Sequence, residues 1–194
     1  MERVPDRRRF LARVGCGALG GLVGWMGCAA PSASPGSQGA PGAEERLRTL
    51  QLELPVVPKP TGALLVPCVR VGDLLYVSGH TPVGADGKPV VGKLGKELDV
   101  RQGQEAARLV ALRVLSVVRA ELGSLDRVVR VVKTLGMVNC TPDFTQTPQV
   151  VNGFSGLLVE VFGEEAGKGA RSAVGMESLP GGVPVEVEVI LQVK

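Results

Sequence analysis

Arg171, Glu186 and Glu188 are the side chains whose types and surroundings point most directly to chemistry. Arg171 stands in a run of small residues, 167–173, and a guanidinium can bind a carboxylate through two parallel hydrogen bonds. Glu186 and Glu188 are two positions apart in a predicted strand, so they share one of its faces. A carboxylate near a bound substrate can orient or activate water. This combination favours a site for a small carboxylate, with water as the second reactant.

Three further polar positions belong to the same hypothesis. Ser78 and Gly79 follow a predicted strand and begin a sharp turn, which also contains His80, the single histidine. Asn152 is a polar residue within a predicted apolar helix. Each position also has a purely structural interpretation, such as a strand end, a bridge from helix to loop, or a solvated strand face. The sequence contains no phosphate-binding loop, zinc signature or nucleophile elbow, and His80 has no evident partner for a catalytic triad.

Two helices are predicted to position these residues. The clearer one covers 99–122, where Asp99 and Gln102 form a capping box ahead of an apolar face with helical spacing. The second covers 147–163, with Thr147 as its N-cap and a proline in its first turn. Its apolar residues recur three and four positions apart, so one side of it should be buried.

Five strands are predicted from short runs rich in β-branched residues, and one turn is predicted outside them. The strands are 66–71, 74–78, 127–138, 171–175 and 183–193, and the additional turn is at 86–87. Within the third strand, alternation places Val129, Val131 and Lys133 on one face. The order of elements predicts an α+β fold with both helices on one face of the sheet. Because two helices cannot cover both faces, the other face needs a partner, and an oligomer is the natural answer.

The net positive charge of the chain comes from its first 28 residues. Residues 1–28 contain five arginines and two acidic residues, which accounts for the whole formal charge of +3. The remainder is neutral by count, which argues against a polyanion-binding surface. Three arginines at 7–9 precede a short apolar run at 14–26. This arrangement is typical of a twin-arginine export signal, and the run is too short for a comfortable transmembrane helix.

A lipidation site is predicted at the end of this leader. Residues 25–28 resemble a lipobox, in which Cys28 would be lipidated and become the first mature residue, and cleavage after Ser32 is the alternative. Residues 29–59 are rich in proline, glycine, serine and alanine, so they predict a flexible linker before a domain at 60–194. We therefore expect an exported protein, either periplasmic or anchored to the membrane through lipid alone.

The domain at 60–194 resembles the RidA (YjgF) family of small imine and enamine deaminases. Residues 77–82 resemble the family's Ser-Gly-Gln-x-Pro turn, and 151–152 resemble its helix asparagine. The family's C-terminal signature is matched in order and spacing by 170–174, 179–180 and 185–188. The resemblance covers the whole predicted domain, and its C-terminal block is the most specific part.

This resemblance implies a chorismate-mutase-like α+β fold with a mixed sheet, and a homotrimer with clefts between subunits. It implies that Arg171 binds the substrate carboxylate, that Glu186 holds the attacking water, and that backbone groups of Ala173 orient the imine. The other cleft residues, by position, are Leu65, Ser78, Gly79 and Asn152. The implied reaction is hydrolysis of a small 2-imino or enamine acid to a 2-oxo acid and ammonia, without a metal or an organic cofactor.

Several of these positions depart from the family pattern. Leu65 stands where the family often has a tyrosine, Ala173 replaces the usual cysteine, and His80 replaces the usual glutamine. The departures leave a non-catalytic module, which binds small carboxylates or partner molecules, as the alternative to a deaminase. RNA cleavage is a third hypothesis, and it is disfavoured because the domain is neutral and has few aromatic residues for base stacking. Nucleic acid is therefore not an expected partner.

Overall fold

A five-stranded mixed β-sheet forms the framework of the computed structural model, which describes residues 40–58 and 64–194. Its strands are β1 (Cys68–Val71), β2 (Leu74–His80), β3 (Val128–Asn139), β4 (Ala170–Met176) and β5 (Val185–Val193). Their order across the sheet is β1-β2-β5-β3-β4, with β3 and β4 parallel and the other neighbouring pairs antiparallel. The predicted α+β class with a mixed sheet is confirmed.

Two long helices pack on one face of this sheet. The helices are α1 (Ala43–Thr49), α2 (Val100–Leu122), α3 (Thr147–Phe162) and α4 (Glu164–Gly167), with 3₁₀ turns at Leu125–Arg127 and Pro180–Gly182. The capping box predicted for α2 is confirmed, because Gln102 N donates to Asp99 Oδ1 at 2.8 Å and Asp99 N donates to Gln102 Oε1 at 3.0 Å. Within the described ranges, no helix combines the length and the apolar character needed to cross a membrane.

The start of α3 differs from the prediction. Gln146 rather than Thr147 is the N-cap residue, and it makes no side-chain cap. The Thr147 hydroxyl instead donates to the Ala173 carbonyl oxygen of β4 at 3.2 Å. Pro148 lies in the first turn of α3, where a missing N–H leaves no intrahelical bond unmade. The side chain expected to cap the helix therefore connects it to the strand that carries Arg171.

The hydrophobic core lies between α2, α3 and the helix-facing side of the sheet. The alternating pattern predicted for the last strand is confirmed, since its buried residues are Val185, Val187, Val189, Leu191 and Val193. Leu115 of α2 and Phe154 and Leu157 of α3 are fully buried in the same core. Burial of these side chains is the main stabilising contribution to the fold.

Glycines allow α3 to lie unusually close to its neighbours. Gly153 faces the backbone carbonyl group of Gln104 in α2, where a Cβ atom would overlap it. On the sheet side, a Cβ atom at Gly136 of β3 would lie 2.5 Å from a methyl carbon of Val151. The backbones of α2 and α3 are thus in direct contact at Gly153, and only the Val151 side chain lies between α3 and the backbone of β3 at Gly136, so α3 is held close to the β3–β4 edge of the sheet.

An irregularity in β3 changes which residues share a face. The pairing of β3 with β5 shifts register between Val131 and Lys133, which is the signature of a β-bulge. Val131 is buried on the helix side, but the next buried position is Thr134. Lys133 therefore points to the opposite face, where it lines a shallow hollow. The prediction that Val131 and Lys133 share a face was wrong, because the extra residue reverses the alternation.

The folded unit begins before residue 60, within the segment predicted to be a linker. Ala43 and Leu47 of α1 are buried in the main core. The Glu44 side chain accepts a hydrogen bond from Leu125 N at 3.0 Å and forms an ion pair with Arg119 at 2.8 Å. Helix α1 lies within the predicted linker, 29–59, but it packs in the core and belongs to the domain. Residues 1–28 and 29–39 lie outside the described residues, and so do the predictions made for them.

The second face of the sheet carries exposed apolar side chains. They are Val69, Val71, Tyr76, Val174 and Met176. Lys133, Glu186 and Glu188 lie among them. None of the helices in the described ranges packs on this face, as expected for a sheet with two long helices on one side. We call it the open face.

Candidate functional site

Arg171 reaches from an edge strand to a helix. It lies on β4, at one edge of the sheet. Its Nη1 donates to Asn152 Oδ1 at 2.9 Å and to Ser155 Oγ at 3.1 Å, and its Nη2 donates to the Pro148 carbonyl oxygen at 3.3 Å. All three acceptors are neutral oxygen atoms. A guanidinium has five N–H donors, so the side chain is held in place while two donors remain available.

The acceptors of Arg171 are positioned by the geometry of α3. Asn152 and Ser155 are three residues apart, so they are neighbours on one side of the helix. Pro148 precedes Asn152 by one helical turn, so the three acceptors form a short row. Sequence reasoning identified Asn152 but missed Ser155. The signal that could have found it is the spacing of two polar residues in a helix that is otherwise apolar on its buried side.

A cavity of about 510 Å³ lies beside Arg171. Its lining residues are Thr134, Asn152, Ser155, Gly156, Leu158, Val159, Gly167, Lys168, Gly169 and Arg171. The volume lies within the ordinary range for small-molecule sites. The charged lining residues are Arg171 and Lys168, and no acidic residue is among them. This cavity therefore suits an anionic ligand.

Glu186 occupies a different environment, next to the turn at the end of β2. Its carboxylate lies directly over Gly79, where a Cβ atom would overlap it. Partial burial raises the pKa of the Glu186 carboxyl group, and the charge of Glu188 raises it further. A raised pKa makes a carboxylate a stronger proton acceptor. A side chain at position 79 would therefore displace the Glu186 carboxylate from this position.

Arg171 and Glu186 lie on opposite faces of the sheet. Arg171 pairs in register with Thr134, a buried residue that lines the cavity under α3. Glu186 pairs with Met137, three residues further along β3. Side chains alternate between faces along a strand, so Thr134 and Met137, three positions apart on β3, point to opposite faces. Arg171 and Glu186, which pair with them, therefore also lie on opposite faces. Within one chain, the predicted carboxylate clamp and the predicted water-holding group do not share a cavity.

The other predicted site residues divide between these two faces. Ala173 is on β4 with Arg171, and its carbonyl oxygen accepts the Thr147 hydrogen bond. The Ser78 hydroxyl donates to the Val66 carbonyl oxygen at 2.7 Å, so it stabilises the entry to β1. Ser78 also lines a hollow of about 230 Å³ on the open face. The structure thus brings Asn152 to Arg171, and Gly79 to Glu186.

Leu65 lies apart from both groups. Its side chain is 61% exposed and lines a cavity of about 350 Å³ between β1 and α2, together with Cys68 and Glu121. Desolvation raises the pKa of the Cys68 thiol, and the nearby Glu121 carboxylate raises it further. Leu65 is therefore not in contact with the Arg171 cavity within one chain. Cys28, the predicted lipidation site, lies outside the described residues.

His80 is a partly buried residue at the end of β2. It pairs with Val187 of the core strand, and its Nε2 atom has no hydrogen-bond partner among the described residues. Desolvation lowers the pKa of His80 to about 4, and the positive charge of Arg113 contributes to the lowering. The imidazole is therefore neutral near pH 7 and is a poor general acid.

Comparison with known proteins assigns the family. Residues 44–182 match a family model described as "YjgF/chorismate_mutase-like, putative endoribonuclease". The chain belongs to the YjgF/chorismate-mutase-like family. The match begins inside α1, which agrees with the contacts of that helix with the core. The RidA (YjgF) resemblance and the chorismate-mutase-like fold that it implies are confirmed.

Individual YjgF-family relatives match most of the domain. Protein TCP17 of Trypanosoma cruzi is 45% identical over 146 residues, which are 75% of this chain and 91% of that protein. The solved structure of Atu1372 from Agrobacterium tumefaciens, described as a protein of unknown function, has a TM-score of 0.70 and 40% identity, covering 78% of this chain and 94% of its own. A "putative endoribonuclease" from Shewanella oneidensis has a TM-score of 0.73 and 29% identity, covering 79% and 100%.

Proposed function

We propose that the chain binds small 2-imino or enamine acids through Arg171 and hydrolyses them to 2-oxo acids and ammonia. The observation that carries this proposal is the guanidinium itself, which is held by three neutral acceptors and keeps two donors for a ligand. A carboxylate can accept both remaining hydrogen bonds. Because no acidic side chain lines the adjacent cavity, the bound carboxylate would meet no repulsion there.

The proposed chemistry makes modest demands on the protein. Water adds to the electrophilic imine carbon and gives a carbinolamine. This intermediate loses ammonia, after a proton has moved to the nitrogen, and leaves the 2-oxo acid. Correct positioning of the substrate and one proton acceptor for the water are the main requirements. Glu186, with its raised pKa, is suited to the second role.

We propose that the site is completed by self-association. Glu186 of the same chain lies on the other face of the sheet from Arg171, so it cannot serve a substrate held in the Arg171 cavity of that chain. In the homotrimer that the family resemblance implies, clefts between subunits would bring Arg171 of one subunit near the open face of the next. The exposed apolar residues of that face support such an association.

Ammonia release from freshly generated imines tests the proposal. An amino-acid oxidase would supply 2-imino acids in situ, and the full chain should accelerate their hydrolysis. Arg171→Ala should lower kcat/KM at least about a hundredfold, because removing one partner of a charged, bidentate pair costs roughly 3 kcal/mol. Arg101→Ala is the matched control, since Arg101 is an exposed arginine paired with Glu105 outside the cavity. Equal rates for wild type and Arg171→Ala would refute the proposal.

A non-catalytic carboxylate-binding module is the second candidate. It is favoured by the separation of Arg171 and Glu186 within one chain, which leaves the cavity without an acidic group to activate water. This candidate predicts that 2-oxo acids raise the melting temperature of wild type but not of Arg171→Ala, and that no imine is turned over. Turnover by wild type would exclude it.

The family and the Shewanella relative are both described as a putative endoribonuclease, an enzyme that hydrolyses RNA. The described residues offer little for it, because Tyr76 is the single exposed aromatic residue among them and the chain beyond the leader is neutral by count. We expect no binding of single-stranded RNA at low salt. Fluorescence anisotropy with a labelled oligonucleotide would check this expectation.

We also propose export of the chain through its basic leader, with lipidation at Cys28. The support is the order of arginines, apolar run and Gly27-Cys28 pair in the sequence. Cell fractionation should find the wild type outside the cytoplasm. The double variant Arg7→Lys/Arg8→Lys should stay in the cytoplasm, and Cys28→Ala should leave the membrane fraction. Unchanged localisation of both variants would contradict this proposal.

A further inference from the structure

Lys168 is a second positive group at the Arg171 cavity. It lines the same cavity of about 510 Å³, and its side chain is 66% exposed. Its ion-pair partner is Glu164, four residues earlier at the start of α4. Exposed pairs with this spacing add little to stability. The Lys168 ammonium group can therefore leave Glu164 for a ligand at small cost.

The backbone on both sides of Lys168 is fixed by two glycines. A Cβ atom at Gly167 would lie 2.6 Å from the Leu158 carbonyl oxygen, and one at Gly169 would lie 2.8 Å from the Val131 carbonyl oxygen. Gly167 N also donates to Gly163 O at 2.7 Å. Because both glycines rest directly on neighbouring backbone, the chain turns past the cavity at a defined position, and Lys168 projects from that position.

The cavity has two positive side chains, Arg171 and Lys168, which is more than one bound carboxylate requires. The rest of the lining carries no charge, and part of it, Gly156, Leu158 and Val159, is apolar. A single carboxylate bound to Arg171 would leave Lys168 without a role in binding. A short molecule with carboxylates at both ends would engage both positive groups and place its methylene carbons against the apolar wall.

We propose that the ligand of this cavity is a short dicarboxylic 2-imino acid, with its 2-carboxylate on Arg171 and its distal carboxylate on Lys168. This inference rests on the proposed function, since it names the substrate class of the same site. It makes Lys168 a residue that determines specificity. The reaction itself is the one already described, so water adds to the imine carbon and ammonia leaves.

Two imines of equal chain length test the proposal. The imine of glutamate carries a distal carboxylate, and the imine of norvaline ends in a methyl group. The full chain should prefer the glutamate imine, and Lys168→Met should lower the ratio of kcat/KM values, glutamate over norvaline, about tenfold. Lys168→Arg should retain the preference. Lys96→Met is the matched control, because Lys96 is also ion-paired and 70% exposed but lies outside the cavity. An unaltered ratio in Lys168→Met would overturn the proposal.

A binding experiment separates this inference from the proposed deaminase activity. If no imine is turned over, the deaminase proposal fails, but the ligand class can still be measured with the stable 2-oxo acids. Thermal shifts should then show tighter binding of 2-oxoglutarate than of 2-oxopentanoate, with the preference lost in Lys168→Met and kept in Lys96→Met. Equal binding of the two acids to wild type would overturn the inference.

Discussion

Arg171 depends on its acceptors as much as on its own charge. The hydrogen bonds to Asn152 and Ser155 hold the Nη1 side of the guanidinium against α3. An arginine without these bonds would sample several rotamers and would lose side-chain entropy on binding a ligand. In the proposed binding mode, Asn152 and Ser155 are positioning residues that act through Arg171, and the unused donors of Arg171 would contact the ligand.

Ser155→Ala should weaken carboxylate binding without removing it. Ser155 accepts one of the three hydrogen bonds that orient the charged guanidinium, and its loss should weaken ligand binding by roughly 1 kcal/mol, which corresponds to about a fivefold higher Kd. Titration of 2-oxo acids by thermal shift or calorimetry would measure the change. Ser116→Ala is a fitting control, because its hydroxyl donates to the Pro55 carbonyl oxygen at a distance from the cavity. The same Kd in wild type and Ser155→Ala would show that Ser155 has no positioning role.

His80 should make the domain sensitive to acid. Its pKa is about 4 in the folded chain against 6.5 for an exposed histidine, so between these values the unfolded chain binds a proton that the folded chain excludes. The free energy of unfolding therefore decreases as the pH falls from about 6.5 towards 4. In His80→Gln this decrease should be smaller by about 1–2 kcal/mol, a value that allows for the partial exposure of the ring.

Urea titrations of both proteins at several pH values between 7 and 4.5 would measure this difference. Carboxyl groups titrate in both proteins, so they cancel in the comparison. Identical pH dependence in wild type and His80→Gln would show that the burial of the imidazole has no energetic consequence.

At the scale of elements, the close packing of α3 positions the site. The glycine contacts with α2 and β3 bring the acceptor row of α3 within reach of Arg171 on β4. The hydroxyl of Thr147 adds a direct connection between the helix and the strand. A helix displaced outward by one methyl group would move the acceptors away from the guanidinium.

Two glycines of α3 give a matched pair of substitutions. Gly153→Ala should destabilise the domain by roughly 3 kcal/mol, because the methyl group meets backbone atoms of α2 that cannot move aside. Gly156→Ala should stabilise it by up to about 1 kcal/mol, because nothing lies within 4 Å of its Cβ position and alanine favours a helix. Chemical denaturation would measure both. Equal effects of the two substitutions would contradict the close contact of α2 and α3.

At the scale of the whole molecule, the proposed completion of the site by a second subunit depends on the open face of the sheet. Val69 and Tyr76 lie opposite each other on this face and are about half exposed. Such a patch is typical of an interface between subunits. If this face binds a second copy, the oligomeric state and the activity are linked through Glu186.

Val69→Asp should therefore convert an oligomer into monomers and reduce imine turnover. A buried, unpaired carboxylate at an interface costs several kcal/mol, roughly a thousandfold or more in affinity. Sedimentation velocity would report the assembly state. Val91→Asp is the control, since Val91 is similarly exposed but lies outside the sheet. A trimer that survives Val69→Asp, or a wild type that is monomeric at micromolar concentration, would exclude this face as the interface.

Much of the fold is predictable because local patterns specify it. The apolar spacing and capping box of α2 and the alternating valines of β5 give the observed elements. The domain begins earlier in the chain than predicted. The sequence pattern does not indicate this, because α1 is short and its burial depends on contacts with distant residues such as Leu125 and Arg119. The bulge in β3 has no local signal, since its valines fit either face.

The sequence by itself determined the class of fold, the family and the guanidinium expected to bind a carboxylate, since these depend on local periodicity and short motifs. The tertiary structure decided which way the side chains of β4 point. Val174 and Met176 are more apolar than Arg171, so the strand alone favours the opposite orientation. Parallel pairing with β3 turns Arg171 towards α3, where three neutral oxygen atoms accept hydrogen bonds from its guanidinium. This pairing and the pairing of β3 with β5 together place Arg171 and Glu186 on opposite faces, and strand register depends on contacts that no single segment contains.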